Sequence, residues 1–546
     1  METRDPAIRP TVSAANPRRR AIRLALFLTA VSFFLGLALR LHSMDDAFIA
    51  FRCARNLAHG HGLVYNPGEP VEAVSNFLYA ALIGGAFVLL PTVDPTATAR
   101  LLNHAGLFLI LFLLFRNGGR AASPAERRWR ELGGWWVGLH PAVWIYAHSG
   151  METIFFTALL AGGFFLLLEA VEGRRSSVFA GLLFGLAADT RLEAAAFAGL
   201  AVVLVFALGP REGRLRRAAL LAGAAAVVFL PVLAGRWLYY GYPFPNTYYV
   251  KVDGGSYDLA LRGFKYDAIW LVQNPLALLA LAASPVLFAA IPRWRKRAVL
   301  GWSFVLGYFS YCIFVGGDYF PYSRFLVPLL PVVGWLLGDQ LALAAEWRRA
   351  RRPGSKFLGR RLANGLLAAG LLWTLFYPRQ LRQYADQMLW STAWAAEGRA
   401  IKAATPPGLS LYVMTAGAIP YYSELIAHDS LGLSDPVLAH EKIPLGRGIT
   451  GHEKMDLWRI DALSPDLILI NGFGPGANIE HEINKARHQR HRVGSLLQLL
   501  FYRHFAEFYR PRILTAETTR ILFLVKLSAI PLVQDQFKPL DFNFSP

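Results

Sequence analysis

AIRLALFLTAVSFFLGLALRLHSMDD, residues 21–46, joins an apolar run of membrane-spanning length to an adjacent pair of carboxylates. Arg18, Arg19, Arg20 and Arg23 flank its start, and no convincing small-residue cleavage site precedes Asp45. The run reads as an uncleaved first span with its basic flank in the cytoplasm. Asp45 and Asp46 stand just beyond its far end, where a basic or aromatic flank is the usual choice. Two such charges at a membrane surface call for a chemical reason, and the loop after them is rich in Arg, His, Asn and Gly.

The same pattern recurs along the chain. Its 546 residues are 54% hydrophobic and 13% aromatic, with a mean hydropathy of +0.34, which excludes an ordinary soluble globular protein. Apolar segments fall at 21–41, 74–91, 100–115, 132–147, 152–171, 177–190, 194–209, 218–235, 274–291, 298–315, 324–345 and 362–377. The net charge of +19 comes from arginine clusters between these segments, a topology signal, so no nucleic-acid partner is expected. Cys53 and Cys312 alone make no disulfide framework.

If every segment crossed the bilayer, the loop carrying Arg116, Arg120, Arg127, Arg128 and Arg130 would lie opposite the basic N-terminus. The conflict disappears if 74–91 lies along or re-enters the outer leaflet. About eleven spans then place the basic stretches 116–130, 174–175, 211–217, 293–297 and 348–361 in the cytoplasm. The opposite side collects Asp45, Asp46, Glu69, Glu72, Glu152, Arg191, Glu193, Asn246, Lys251, Asp253, Arg262, Asp318 and Arg324. Ionisable groups at helix ends facing one compartment suit an enzyme at the outer surface better than a transporter, whose charges would lie near midspan.

The expected fold is mainly α: a polytopic helical membrane protein with interfacial helices and a C-terminal α/β domain. Residues 1–20 form a disordered cytoplasmic tail, 21–377 the membrane domain with a first outer loop at 42–99, and 378–546 the outer domain. Strand-like runs at 409–414, 425–428, 467–470 and 521–525 alternate there with helical patterns at 379–403 and 481–508.

Residues 46–59 predict an amphipathic helix with Arg52, Arg55, Asn56 and His59 on one face. Its dipole would favour ionised carboxylates at Asp45 and Asp46, and a turn of about 100° between them predicts different jobs. One would face a reacting sugar while the other fixes an Arg or a cation. Asp189-Thr190-Arg191-Leu192-Glu193 sets three charges between two short apolar segments, predicting that Arg191 lines a polar cavity. Tyr, Asn246 and Lys251 in the loop 239–266 suit a sugar, with aromatic faces to stack on and polar groups for its hydroxyls. Arg324 suits a lipid phosphate at the leaflet boundary. His59 and His61 lack a spaced third ligand; a divalent cation is left open and no other cofactor is expected.

These residues carry a resemblance. The first-loop sequence from Asp45-Asp46-Ala47-Phe48 through Gly60-His61-Gly62 to Asn66-Pro67-Gly68-Glu69 and Val71-Glu72 is similar to the first outer loop of GT-C glycosyltransferases, especially the terminal β-(1→2)-arabinofuranosyltransferases and their bacterial relatives. Ser149-Gly150-Met151-Glu152-Thr153, Thr190-Arg191-Leu192-Glu193, Pro245-Asn246-Thr247-Tyr248-Tyr249-Val250-Lys251, Gly316-Gly317-Asp318-Tyr319 and Arg324-Phe325-Leu326 agree with it. So do Gly417-Ala418-Ile419-Pro420 and His428-Asp429-Ser430-Leu431 in the outer domain. The resemblance implies a bacterial inner-membrane glycosyltransferase with a periplasmic site. It would move a sugar, arabinofuranose in the first instance, from a decaprenyl or undecaprenyl phosphate donor to a glycan or protein acceptor. Asp45 is expected as the central carboxylate with Asp46 as its partner. Arg191, Lys251 and Arg324 are expected on the donor phosphate, and Arg52, Glu72, Glu152, Glu193, Asn246, Asp318 and His428 on sugar or acceptor. A polyprenyl-phosphate mannosyltransferase and a lipid or sugar transporter are the alternatives.

Overall fold

The computed structural model describes residues 16–540 apart from 122, 253–255, 352–359, 457, 474–477, 480, 482, 484–495, 517, 518 and 534. Asp253 and much of the 481–508 pattern therefore lie outside the described residues. The helices are α1 (Pro17–Ala38), α2 (Asp45–Ala58), α3 (Phe77–Leu89), α4 (Pro95–Gly118), α5 (Pro124–Gly138), α6 (Pro141–His148), α7 (Thr153–Val171), α8 (Val178–Thr190), α9 (Glu193–Leu208), α10 (Arg214–Tyr240), α11 (Asn246–Lys251), α12 (Tyr257–Gln273), α13 (Pro275–Ala290), α14 (Arg295–Val315), α15 (Leu330–Arg351), α16 (Arg360–Leu375) and α17 (Pro378–Ala404). Asn16 caps α1 by accepting the Arg18 amide at 3.0 Å, so residues 17–20, expected in the disordered tail, are helical.

Among the described residues, six helical stretches are long and apolar enough to cross a membrane, or seven if α12 and α13, bent by 100°, count as one span. The run 132–147, expected as one span, is two helices: Pro141 opens α6 at a position that tolerates its missing N–H, and the His140 side chain caps it. α3, α8 and α9 are apolar but shorter than the six candidate spans.

Ion pairs gather the basic loops at one end of the bundle. Glu169, at the end of α7, receives Arg116 at 3.2 Å, Arg120 at 2.6 Å and Arg175 at 2.8 Å. Arg297 at the start of α14 reaches Glu172 at 3.1 Å and Asp339 at 2.8 Å. Gly119 packs so closely on Pro17 that an added Cβ would lie 3.2 Å away. The start of α1 and the end of α4 therefore share this end, which puts the chain between them, α2 and α3 included, at the other. At 13 residues α3 is about 20 Å long, short of the roughly 30 Å hydrocarbon core.

The C-terminal domain is a six-stranded sheet ordered β2-β1-β3-β5-β4-β6, from β1 (Ser410–Val413), β2 (Ile426–Asp429), β3 (Leu467–Phe473), β4 (Tyr509–Thr515), β5 (Arg520–Lys526) and β6 (Phe537–Pro539). β1 runs parallel to β2 and β3, while β5, β4 and β6 add antiparallel strands. Separate apolar clusters cover its two faces, one including Ile401 of α17 with Leu411 and Val413, the other Tyr412, Ile468 and Leu524. β4 was not expected because Arg510, Pro511 and Arg512 break its apolar pattern; Pro511 is accommodated because the short β6 pairs only with Arg512 to Leu514.

Candidate active site

The first loop supplies both part of the lining of a cavity and the seat of the C-terminal domain, and the adjacent carboxylates divide between these tasks. Asp45 and Asp46 occupy the first turn of α2, so their side chains diverge. Asp46 lines a cavity of about 630 Å³. Asp45 does not: it is buried, its Oδ1 accepting the Ala418 amide at 2.7 Å. Its backbone and carboxyl lie so close to Gly417 that an added Cβ there would meet them at 2.1–2.6 Å. Burial, opposed by the Ala418 amide, lifts the Asp45 pKa to about 7. Asp45, expected at the centre, lies outside the cavity lining that Asp46 joins, and the helix dipole does not keep Asp45 strongly acidic.

Three cations face Asp46 or the same cavity: Arg191, Lys251 and Arg324. Arg324 follows Tyr322 and Ser323, both in the left-handed region at φ 53° and 50°. Two such non-glycine residues cost about 1–3 kcal/mol each and persist only when the surroundings hold them. Here the Tyr322 amide donates to Gln380, its hydroxyl to Leu375 O at 2.9 Å and the Ser323 hydroxyl to Gln273 at 3.3 Å, while Arg324 is fixed through Nε by Asp318 at 2.6 Å with its guanidinium 4.3 Å over Phe320. From that position it stands 4.0 Å from Asp46. Asp318 is an anchor for Arg324 and does not line the cavity.

Arg191 sits in extended backbone between α8 and α9. The 13 residues of α8 rise about 20 Å, less than the roughly 30 Å thickness of a hydrocarbon core. Arg191 binds Glu193 at 2.5 Å and Glu152 at 2.8 Å and lies 4.8 Å over Phe325. Glu152 and Glu193 both line the cavity and hold Arg191 there. Lys251, at the end of α11, makes no hydrogen bond or ion pair with a described residue; burial lowers its pKa while Asp46 opposes the shift. It is therefore the cavity cation free to meet a ligand.

Other expected residues stand elsewhere. Arg52 is buried under the C-terminal domain, its guanidinium donating to Tyr65 O at 2.7 Å, Leu425 O at 2.7 Å, Asn66 Oδ1 at 2.9 Å and Pro420 O, and it does not line the cavity. Glu72 is buried in a 2.8 Å ion pair with Arg236, and Asn246, whose amide donates to Glu72 O at 3.0 Å, is buried beside it. Neither lines the cavity. His428 lies within β2, opposite Tyr412, and is likewise absent from the lining.

Several lining residues went unrecognised. Asn76 occupies the N-cap position of α3, but its side chain donates to Glu152 at 2.8 Å instead of capping. Tyr311, 3.4 Å from Arg191, is hidden in the apolar run of α14; its hydroxyl was the available signal. Leu433 and Thr450 reach the cavity from the C-terminal domain, which no local pattern announces. Beyond the polar groups the lining turns apolar, with Ala196, Phe197 and Leu200 of α9 facing Phe314 and Val315 of α14. Among the described residues no group of three or more His, Cys, Asp or Glu side chains gathers at one point.

The helical membrane bundle with an appended sheet domain is the GT-C fold, shared with two solved membrane enzymes. ArnT from Cupriavidus metallidurans, solved bound to undecaprenyl phosphate, matches with a TM-score of 0.51 at 16% identity, covering 94% of this chain and 98% of that one. The Archaeoglobus fulgidus oligosaccharyltransferase tethered to an acceptor peptide matches with a TM-score of 0.50 at 13% identity, covering 95% of this chain and 76% of that one. In sequence the chain is similar to the terminal β-(1→2)-arabinofuranosyltransferase of Mycobacterium tuberculosis, 29% identical over 291 residues. That match spans 48% of this chain and 45% of the relative. Residues 379–520 match a family described as a domain of unknown function, DUF8728.

Proposed function

We propose that this protein is a membrane glycosyltransferase that moves a sugar from a polyprenyl phosphate to an acceptor on the outer side of a bacterial cytoplasmic membrane. One observation carries the reading: a single cavity joins Asp46, Arg191, Lys251 and Arg324 to an apolar recess between α9 and α14. A lipid phosphate has that division, with an anionic head for the cations and a hydrocarbon tail for the recess. The basic loops sharing the opposite end support an outward-facing cavity.

In the transfer, the bond between the anomeric carbon and the phosphate oxygen breaks and a bond to the acceptor oxygen forms. The departing polyprenyl phosphate keeps the electron pair, and Lys251 and Arg324 stabilise its charge. Asp46 is the carboxylate for the sugar side, taking the acceptor hydroxyl's proton or countering positive charge on the sugar. We assign arabinofuranose as the sugar on the likeness to the mycobacterial arabinofuranosyltransferase, which makes the reaction a pentosyl transfer.

Purified protein given polyprenyl-phosphoarabinofuranose and an arabinan acceptor should form product, and Asp46→Asn should lower the rate at least a hundredfold, as loss of a general base does. Undiminished transfer by Asp46→Asn would remove that residue from the centre. Product from polyprenyl-phosphomannose alone would reassign the sugar, and lipid translocation without product would favour the transporter.

A further inference from the structure

A second cavity, of about 860 Å³, lies at the basic end, between the start of α1, α5, the end of α15 and the start of α16. It shares no lining residue with the first. Arg20, Arg128 and Arg349 ring its mouth, and Trp135 and Leu367 stand among its apolar wall. Arg20 is held by Glu131 through two 2.9 Å hydrogen bonds. Arg128 and Arg349 meet no acceptor among the described residues, and three guanidinium groups against the Glu131 carboxylate leave an excess of positive charge.

The geometry points to a binding site for an anionic phospholipid of the cytoplasmic leaflet, with its phosphate between Arg128 and Arg349 and an acyl chain along α5. Length favours a lipid over a free phosphate. From Arg128 to Leu139 the α5 wall rises about 16 Å, and one leaflet of hydrocarbon is about 15 Å deep. Charges at the headgroup level, with a tryptophan and leucines below, reproduce the polarity profile of one lipid molecule. The cavity touches the first span, the helix pair crossing next to it and α16, which leads into the C-terminal domain, so an occupying lipid would brace these elements together.

Delipidated protein in neutral detergent, titrated with phosphatidylglycerol or phosphatidylcholine and followed by native mass spectrometry, tests the site. Wild-type protein should retain phosphatidylglycerol at least tenfold more tightly than phosphatidylcholine. An Arg128→Gln/Arg349→Gln double variant should lose that preference, since each arginine near an anionic head contributes about tenfold or less. Leu367→Trp, which fills the cavity and keeps every charge, should lower retention of both lipids. Equal retention of the two lipids by wild-type protein, or an undiminished preference in the double variant, would overturn the assignment. Displacement of phosphatidylglycerol by millimolar inorganic phosphate would also overturn it, showing an anion site indifferent to the lipid tail.

Discussion

Asp45 and Asp46 are adjacent in sequence yet differ in every physical respect that matters. Asp46 is partly open to the cavity and 4.0 Å from Arg324, whereas Asp45 is buried against the Ala418 amide. Asp45, raised from its ordinary 3.8 to about 7, binds its proton more tightly in the folded protein than in the unfolded one. Its contribution to stability is thus fully present below about pH 4 and lost as pH rises through 7. Thermal unfolding between pH 5 and 8 should show this decline, and Asp45→Asn, which keeps an acceptor for Ala418 without a charge, should flatten it. Lys251 supports a second expectation, because no described residue competes for its ammonium. Lys251→Met should remove a charged hydrogen bond of about 1.5–3 kcal/mol and raise the donor KM tenfold or more, with smaller effect on kcat. An unchanged KM would show that the donor phosphate lies elsewhere.

Helices α3, α8 and α9 show how elements too short to cross an average bilayer still shape the site. The start of α1 and the end of α4 share the basic end, so α3 turns back without crossing. A reporter fused after Gly118 should accordingly read cytoplasmic; a periplasmic signal would mean that α3 spans. The arginine pattern foretold that α3 does not cross, because each arginine's preference for one side acts through its own solvation and needs no tertiary partner. The break of the 132–147 run into α5 and α6 was not expected, although Pro141 was its signal. Nor was β4 expected, since Pro511 and its flanking arginines lower the local apolar signal while β5 supplies the pairing. Helix α17 matched its predicted range 379–403 closely because its length and flanking Pro378 are local features.

In the assembled molecule, the first loop ties the membrane and C-terminal domains together, in part through Arg52, which was expected on sugar or acceptor. Arg52 binds backbone carbonyls of Pro420 and Leu425, the Tyr65 hydroxyl donates to Ala416 O at 2.6 Å, and Asn66 pairs with both backbone groups of Ala427. The last contact also satisfies the outer edge of β2. Arg52→Ala should therefore cost about 3 kcal/mol of docking stability, seen as faster proteolytic release of the C-terminal domain at unchanged membrane insertion. Normal protease resistance with a raised donor KM would instead return Arg52 to the substrate. Membrane class, the shared end of the basic loops and the cationic character of Arg191, Lys251 and Arg324 could be read from residue order alone, since run length and charge distribution are properties of the chain itself. Which aspartate faces the cavity, and that Arg52, Glu72 and His428 stand outside its lining, only the tertiary structure decided. A turn of about 100° separates neighbouring helical side chains, and what each one meets is set by packing partners hundreds of residues away, as Ala418 is from Asp45.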